Sequence, residues 1–465
     1  MNYNEFLETK RTKAIRSGFK KPKERMGAAL YEWQKDVVYW ALARGRAALF
    51  EDCGLGKTIQ QLEWAQSVSD HTGKPVLIVA PLAVAEQTRR EGLKFGYTVT
   101  VCRTQEHVKD GVNICNYEML EHFTPETFGG VVLDESSILK NFTSKTRTQI
   151  IDLFRETEYK LSCTATPSPN DYMELGNQAE FLGVMTRTEM LATYFIHDGS
   201  DTSKWRLKGH AEEKFWEWLA TWAVVLTSPA DLGYDAAGYI LPEKNTVEHL
   251  VEVESGAVTG NLSFFVETAK TLTERRDARR NSLQERCEEA ARLVREDPGE
   301  QWLIWCDLND ESGTLADLIP GAVEIRGSDS PEEKAARLNA FTTGEIRYLV
   351  TKPSIAGFGL NWQGCHNMIF VGLSDSYEMM YQAIRRCWRF GQKNPVNVHI
   401  VTSAAEGAVK ENVERKERQS QFMTAEMVKH TKEILEEEIR GTVRITIPYN
   451  PTVEMVVPAW VRSVA

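Results

Sequence analysis

The sequence predicts an α/β fold built from two successive layers of parallel sheet. Short apolar runs separated by helical stretches occur in two blocks, one from Ala47 to Pro167 and one from Val247 to Val401, and strands alternating with helices are how parallel layers form. The runs are apolar throughout, as in Pro75-Val-Leu-Ile-Val-Ala-Pro81, the pattern of strands covered on both faces. The first block also holds a strand, a glycine turn and a helix in direct succession, Leu49 to Gln60. Such a unit presents backbone N–H groups to an anion at the helix start.

Composition sets the class. A chain of 465 residues is long enough for two to four domains, each with its own core. With 42% hydrophobic and 26% charged residues it has the make-up of an ordinary globular protein. No apolar run approaches the roughly 20 residues that cross a bilayer. Met1 to Lys10 is polar, without a signal-peptide apolar stretch, so a cytoplasmic location and no membrane partner are expected. The eight cysteines are scattered singly with no Cys-x-x-Cys pair, which predicts reduced, buried thiols rather than zinc or a disulfide framework. A net charge of −11 argues against a protein that coats nucleic acid, but not against a motor, which needs only one basic groove.

Residues 1–25 are rich in Lys and Arg and read either as an arm on a phosphate backbone or as a solvated tail. Tyr31 to Leu42 has helical spacing and carries Gln34, placed to read an adenine edge or simply a surface glutamine. In Leu49 to Gln60, Ala47 to Phe50 is the strand, Gly54 and Gly56 loosen the turn, and Thr58, Ile59, Leu62 and Trp64 begin the helix. Lys57 would reach the outer phosphates, and the Thr58 hydroxyl is placed for magnesium. The strict phosphate-loop pattern puts glycine at 51, where this chain has Glu51.

Val112 to Cys115 is a further strand, and Val131-Val-Leu-Asp-Glu-Ser-Ser137 delivers two adjacent carboxylates at a strand's carboxyl end, where open parallel sheets bind ligands. Asp134 is suited to hold magnesium and Glu135 to orient and deprotonate a water. Lys160 to Pro167 ends another strand in Ser162, Thr164 and Thr166. These observations give a first domain over 26–234, with a helical, aromatic elaboration at 171–234 whose tryptophans read as core. A linker at 235–246 and a second domain over 247–405 follow. In that domain Arg275 to Glu296 is a charged amphipathic helix and Ser330-Pro-Glu-Glu333 a helix start. Residues 406–465 form an extension of one or two helices and a terminal hairpin around Thr442 to Val457. The second domain has no phosphate loop, but Gln382-Ala-Ile-Arg-Arg-Cys-Trp-Arg-Phe-Gly-Gln392 brings Gln382, Arg386 and Arg389 together on a helix face or its end. Arginines so spaced fit either a solvated face or fingers that reach a phosphate.

The ordered series Gln34; Asp52-Cys-Gly-Leu-Gly-Lys-Thr-Ile-Gln60; Val-Ala-Pro81; Asn116-Tyr-Glu-Met-Leu; Leu-Asp134-Glu135-Ser-Ser; Thr164-Ala-Thr-Pro; Gly357-Phe-Gly359-Leu-Asn; and Gln382 to Gln392 resembles the motif set of superfamily 2 helicases, specifically the Swi/Snf-type ATPase-translocases. It covers roughly residues 28 to 405. The family commonly has an acidic residue where Glu51 stands. Ser136-Ser137, Arg385 and Trp388 depart from the usual pattern, which has Ala or Gly and then His after the carboxylates, and Gly and His in the last motif. In size and style the compact chain resembles helicase-like proteins of phages and bacteria.

The resemblance implies two tandem RecA-like P-loop domains with ATP and Mg2+ in the cleft between them. Gln34, Asp52, Gly54, Gly56, Lys57, Thr58, Gly359 and Gln382 would bind nucleotide, and Thr58 and Asp134 the magnesium. Lys57, Asp134, Glu135, Arg386 and Arg389 would act in catalysis. DNA, duplex before single-stranded, would be the track, with replication, recombination or repair proteins as candidate partners. An RNA helicase, a non-motor P-loop enzyme such as a kinase, and a DNA-binding scaffold with a decayed ATPase are the alternatives.

Overall fold

The structure, a computed structural model, describes residues 17–81, 84–198, 201–252, 280–357, 360–374, 376–403 and 407–440. Among them the apolar runs become two separate parallel sheets. The first contains β1 (Arg46–Glu51), β2 (Val76–Ala80), β3 (Val99–Val101), β4 (Val112–Asn116), β5 (Gly130–Asp134) and β6 (Tyr159–Thr164). A seventh strand comes from farther along. After a two-stranded antiparallel hairpin of β7 (Phe195–Asp198) and β8 (Asp201–Leu207), β9 (Ala223–Leu226) joins the same sheet beside β1. The order is β3-β4-β2-β5-β6-β1-β9, parallel throughout. The carboxyl ends of β1, β5, β6 and β9 therefore lie along one edge.

Helices α1 (Glu32–Arg44), α2 (Lys57–Thr72), α3 (Ala85–Phe95), α4 (Lys145–Leu153), α5 (Leu175–Leu182), α6 (Arg187–Tyr194) and α7 (Glu212–Ala220) cover this sheet. One face packs Trp33, Leu62 and Trp64, the other Phe181, Phe215, Trp218 and Trp222. The tryptophans at 216, 218 and 222 are buried, core residues as expected. The purely helical reading of 171–234 is corrected. The segment contains the β7–β8 hairpin, and β9 extends the main sheet, because Ala223-Val-Val-Leu226 finds an open edge on β1.

The second sheet consists of β10 (Lys244–Val251), β11 (Trp302–Trp305), β12 (Ala322–Glu324), β13 (Tyr348–Thr351), β14 (Asn367–Val371) and β15 (Val396–Ser403), ordered β10-β15-β14-β11-β13-β12 and again parallel. Lys244, placed in the linker by the sequence, is already in β10 and pairs with Val396. Around the sheet lie α8 (Leu283–Glu296), α9 (Asn309–Leu318), α10 (Pro331–Thr342), α11 (Pro353–Ala356) and α12 (Tyr377–Ile384). The start of α10 is the expected capping box: the Glu333 N–H donates to Ser330 Oγ at 3.2 Å, and the Glu333 carboxylate accepts from the Ser330 N–H at 3.1 Å.

Gly407 to Arg440 is a single 34-residue helix, α13. Val409 and Val413 belong to the core of the second lobe, whereas Met427, Leu435 and Ile439 belong to the cores of the first. One rod thus spans both lobes. The N-terminal basic segment is likewise no free arm where it is described. The Phe19 ring stacks on His71 at 3.9 Å, and Lys21 donates to Glu63 at 2.7 Å. Residues 1–16, 275–279, Gly359 and the proposed terminal hairpin lie outside the described residues. All eight cysteines are free and buried.

Candidate active site

The phosphate loop leaves β1 at Glu51 and enters α2 at Lys57. Gly54 and Gly56 have φ of 92° and 81°, a left-handed backbone that glycine adopts without steric cost. Gly56 is also needed for space, since a Cβ there would stand 2.5 Å from Gln34 Nε2. Gln34 is buried and its amide is committed to the loop: Nε2 donates to Leu55 O at 2.8 Å and Oε1 accepts from the Tyr31 N–H at 3.0 Å. Lys57 Nζ donates to the carbonyls of Glu51 and Asp52 at 2.7 and 3.1 Å. Thr58 is half-buried in the first turn of α2.

Glu51 is fully buried, and Gln60 Nε2 donates to its Oε2 at 2.8 Å. Burial pushes its carboxyl up to about 7, against the opposing pull of Lys57 and Gln60.

Asp134 and Glu135 stand at the carboxyl end of β5, one strand removed from β1. Gln61, on the helix after the phosphate loop, donates to Asp134 Oδ1 at 2.8 Å, and the Tyr117 hydroxyl donates to the Asp134 carbonyl at 2.7 Å. Burial raises the Asp134 carboxyl, and the Gln61 bond and Lys57 work against it. Glu135 has φ 53°, alone among the described non-glycine residues in positive φ. A left-handed conformation costs a side-chain-bearing residue on the order of 1 kcal/mol, and such residues cluster at functional sites. Its carboxyl is pushed up to about 7, first by burial and then by the charge of Asp134.

The end of β6 connects to the second lobe. The Thr166 N–H donates to Thr164 Oγ1 at 3.1 Å, the Thr166 hydroxyl donates to Glu378 Oε1 at 3.3 Å, and Lys140 pairs with the same Glu378. Helix α12 stops at Ile384, so the arginines after it project from a turn. Arg386 donates to Gln382 O at 2.8 Å, Gln382 Oε1 at 3.0 Å and Leu360 O at 3.2 Å; Arg389 donates to Leu360 O at 3.2 Å. Both therefore bond to their own lobe. Burial and the neighbouring Arg386 lower Arg389 to about 10.

The arginine that reaches the phosphate loop is Arg385, which donates to Asp52 Oδ2 at 2.6 Å and Cys53 O at 2.7 Å. Tyr381 OH also donates to Asp52. The sequence points to the segment that meets the loop, but which of its arginines makes this contact depends on where α12 ends. Asp52, expected to help bind nucleotide, points its carboxylate at the second lobe.

The cleft suits a polar, anionic ligand. Gln382 Nε2 and Arg385 Nε are buried at the lobe contact as donors without hydrogen-bond partners, where buried polar atoms are otherwise nearly always paired, and Glu135 Oε2 is a buried, unpaired acceptor suited to a water. The oxygen donors Thr58 and Asp134 match magnesium, which takes one or two carboxylates and completes its shell with phosphate and water. Among the described residues no group of three or more His, Cys, Asp and Glu could hold a metal unaided, and no helix is long and apolar enough to cross a membrane.

Two families match the chain: an SNF2-related domain over residues 33–194 and a helicase conserved C-terminal domain over 285–391. Together they take in more than half of it. A SWI/SNF-related matrix-associated actin-dependent regulator of chromatin subfamily A-like protein 1 from Xenopus tropicalis is 28% identical over 165 residues, covering 33% of this chain and 17% of the frog protein. DNA repair and recombination protein RAD54B of Mus musculus is 31% identical over 164 residues, covering 30% and 18%. The chain thus spans less than a fifth of either relative. Putative protein p41 of Acyrthosiphon pisum secondary endosymbiont phage 1 is 23% identical over 434 residues, covering 80% of this chain and 92% of p41. Among solved structures, the Sulfolobus solfataricus SWI2/SNF2 ATPase core in complex with dsDNA aligns over 89% of this chain and 97% of that one, at 17% identity and a TM-score of 0.41. With an SNF2-related domain followed by a helicase C-terminal domain, the chain is a superfamily 2 protein of the Swi/Snf type.

Proposed function

We propose that this protein is a DNA-dependent ATP hydrolase that couples ATP turnover between its two lobes to movement along duplex DNA. The observation that carries the reading is the convergence on one sheet edge of Lys57, Asp134 and the unpartnered Glu135 carboxylate, faced by the Gln382–Arg389 segment of the second lobe.

Lys57 binds the outer phosphates by exchanging two neutral carbonyls for charged oxygens, a stronger bond. Thr58 and Asp134 are the residues that would hold magnesium, which supplies neutralisation of phosphate charge. Glu135, ionised above about pH 7, accepts the proton of the attacking water, a contribution of about 10² to 10⁴ in rate. Gln61 fixes the Asp134 carboxylate, so the site is oriented in advance. Arg386 and Arg389, which donate to the Leu360 carbonyl, would leave it to act on the transferring phosphoryl group as fingers, typically worth about 10³ to 10⁵ in rate. Closing the cleft assembles the site, and a duplex lying across both lobes advances as it opens and closes. The SNF2-related domain and the likeness to SWI/SNF and RAD54 proteins support DNA as the track.

The test is ATP turnover of the purified protein with and without duplex DNA. Duplex should stimulate the rate, and Lys57→Ala and Glu135→Gln should each abolish about 99% or more of it with an unchanged circular dichroism spectrum. Wild-type turnover in either variant would remove the assignment, and stimulation by RNA alone would replace DNA as the track.

A further inference from the structure

The contact between the second lobe and the phosphate loop is made by groups that the hydrolysis reaction does not require. Asp52 accepts from Arg385 at 2.6 Å and from the Tyr381 hydroxyl, Arg385 also holds Cys53 O at 2.7 Å, and Cys53 Sγ lies 3.8 Å from Gln382 Oε1. Gly54 lets the backbones meet: a Cβ on it would stand 3.0 Å from Phe390 N. The Trp388 ring, 5.1 Å from the Arg385 guanidinium, supports it from behind. On the loop itself Lys57 is folded back onto the carbonyls of Glu51 and Asp52.

We infer that Asp52, Arg385 and Tyr381 form a clasp in which the Asp52 carboxylate stands in for nucleotide phosphate, occupying the second lobe's arginine until nucleotide enters the loop. The inference rests on the nucleotide-site reading above. A guanidinium donates to carboxylate and phosphate oxygens alike, and Arg385 commits only Nη2 to Asp52 while its Nε is unpaired, so a phosphate able to take both prongs competes for the same partner. A polyphosphate held by Lys57 also brings negative charge next to the Asp52 carboxylate, which lies in the same loop. That repulsion loosens the carboxylate as the new anion becomes available. Arg385 is then a positioning residue that couples loading of the loop to the seating of the second lobe. The clasp has a cost in affinity, because nucleotide must displace Asp52 before it gains Arg385.

The role is separable from that of a plain structural ion pair. If the pair only braced the lobes, removing the Asp52 charge would leave nucleotide affinity unchanged or weaken it. If it is a clasp, Asp52→Asn frees Arg385 and tightens binding of a fluorescent ATP analogue by about fivefold or more. Tyr381→Phe, which removes one bond to Asp52 and leaves its charge, should tighten binding by a smaller factor in the same direction. It also serves as the test if Asp52→Asn does not fold. Unchanged or weaker binding in folded Asp52→Asn, or in folded Tyr381→Phe where the first variant does not fold, overturns the clasp. Failure of the wild-type protein to bind the analogue would instead overturn the nucleotide site itself.

Discussion

Two buried glutamates give the site opposite pH behaviour in activity and in stability. In the proposed mechanism Glu135 works as a base only when ionised, and its carboxyl is raised to about 7 by burial and by Asp134. Turnover at saturating ATP should therefore fall by about tenfold per unit as pH drops below about 7, a limb that a pH–rate profile reads directly. Glu51 is also raised to about 7, from an ordinary 4.5, but the proposed mechanism gives its charge no step. The folded state keeps its proton where the unfolded chain would release it. Its contribution is thus fully present below about 4.5 and is lost as pH rises through about 7. Glu51→Gln retains an oxygen for Gln60 and removes the buried charge. It should stabilise the protein at pH 8 by up to about 3 kcal/mol, seen as a higher melting temperature that no longer falls between pH 5 and 8. Glu135 also shows how far a sequence can be read. Its identity and strand-end position are legible in Leu133-Asp-Glu, but its left-handed backbone and unpaired oxygen arise from the turn after β5 and the lobe opposite.

At the scale of elements, the long helix α13 ties the two lobes through side chains that sit in different cores. Met427 and Leu435 are nearly fully buried in the first lobe, while Val409 and Val413 are buried in the second. Met427→Ala or Leu435→Ala should cost about 2–5 kcal/mol, read as a loss in the first-lobe unfolding transition in chemical denaturation. The helix itself is legible as a charged stretch with helical spacing, but its attachment to both lobes is not, because periodicity reports a face and not what covers it. The central strands are legible for the opposite reason: burial on both faces leaves unbroken apolar runs. β9 is a four-residue run, too short for periodicity to separate strand from helix. The β7–β8 hairpin, Phe195 to Leu207, has no apolar–polar alternation clear enough to mark its strands.

For the whole molecule, an acidic chain bound to a polyanion must concentrate its positive charge in one groove. Binding of a duplex should weaken linearly in log–log with salt, with a slope near −0.9 per phosphate contacted; a salt-independent affinity would exclude a phosphate-tracking groove. The two-lobe plan was legible from the order of the motifs, each of which is weak alone. The meeting of Asp52 with Arg385 was not, since residues 333 apart in sequence are joined only by the closure of the cleft. The buried cysteines bear on how such closure is observed. Seven of the eight thiols lie in the cores of the lobes, and burial pushes Cys102 up to about 11 and Cys306 up to about 12; Cys53 instead lies against Gln382 of the second lobe, so opening the cleft uncovers it. With Cys53 replaced by serine, one cysteine introduced on each lobe becomes the sole reactive pair, and a donor and acceptor dye attached there would report the distance between lobes through the ATP cycle.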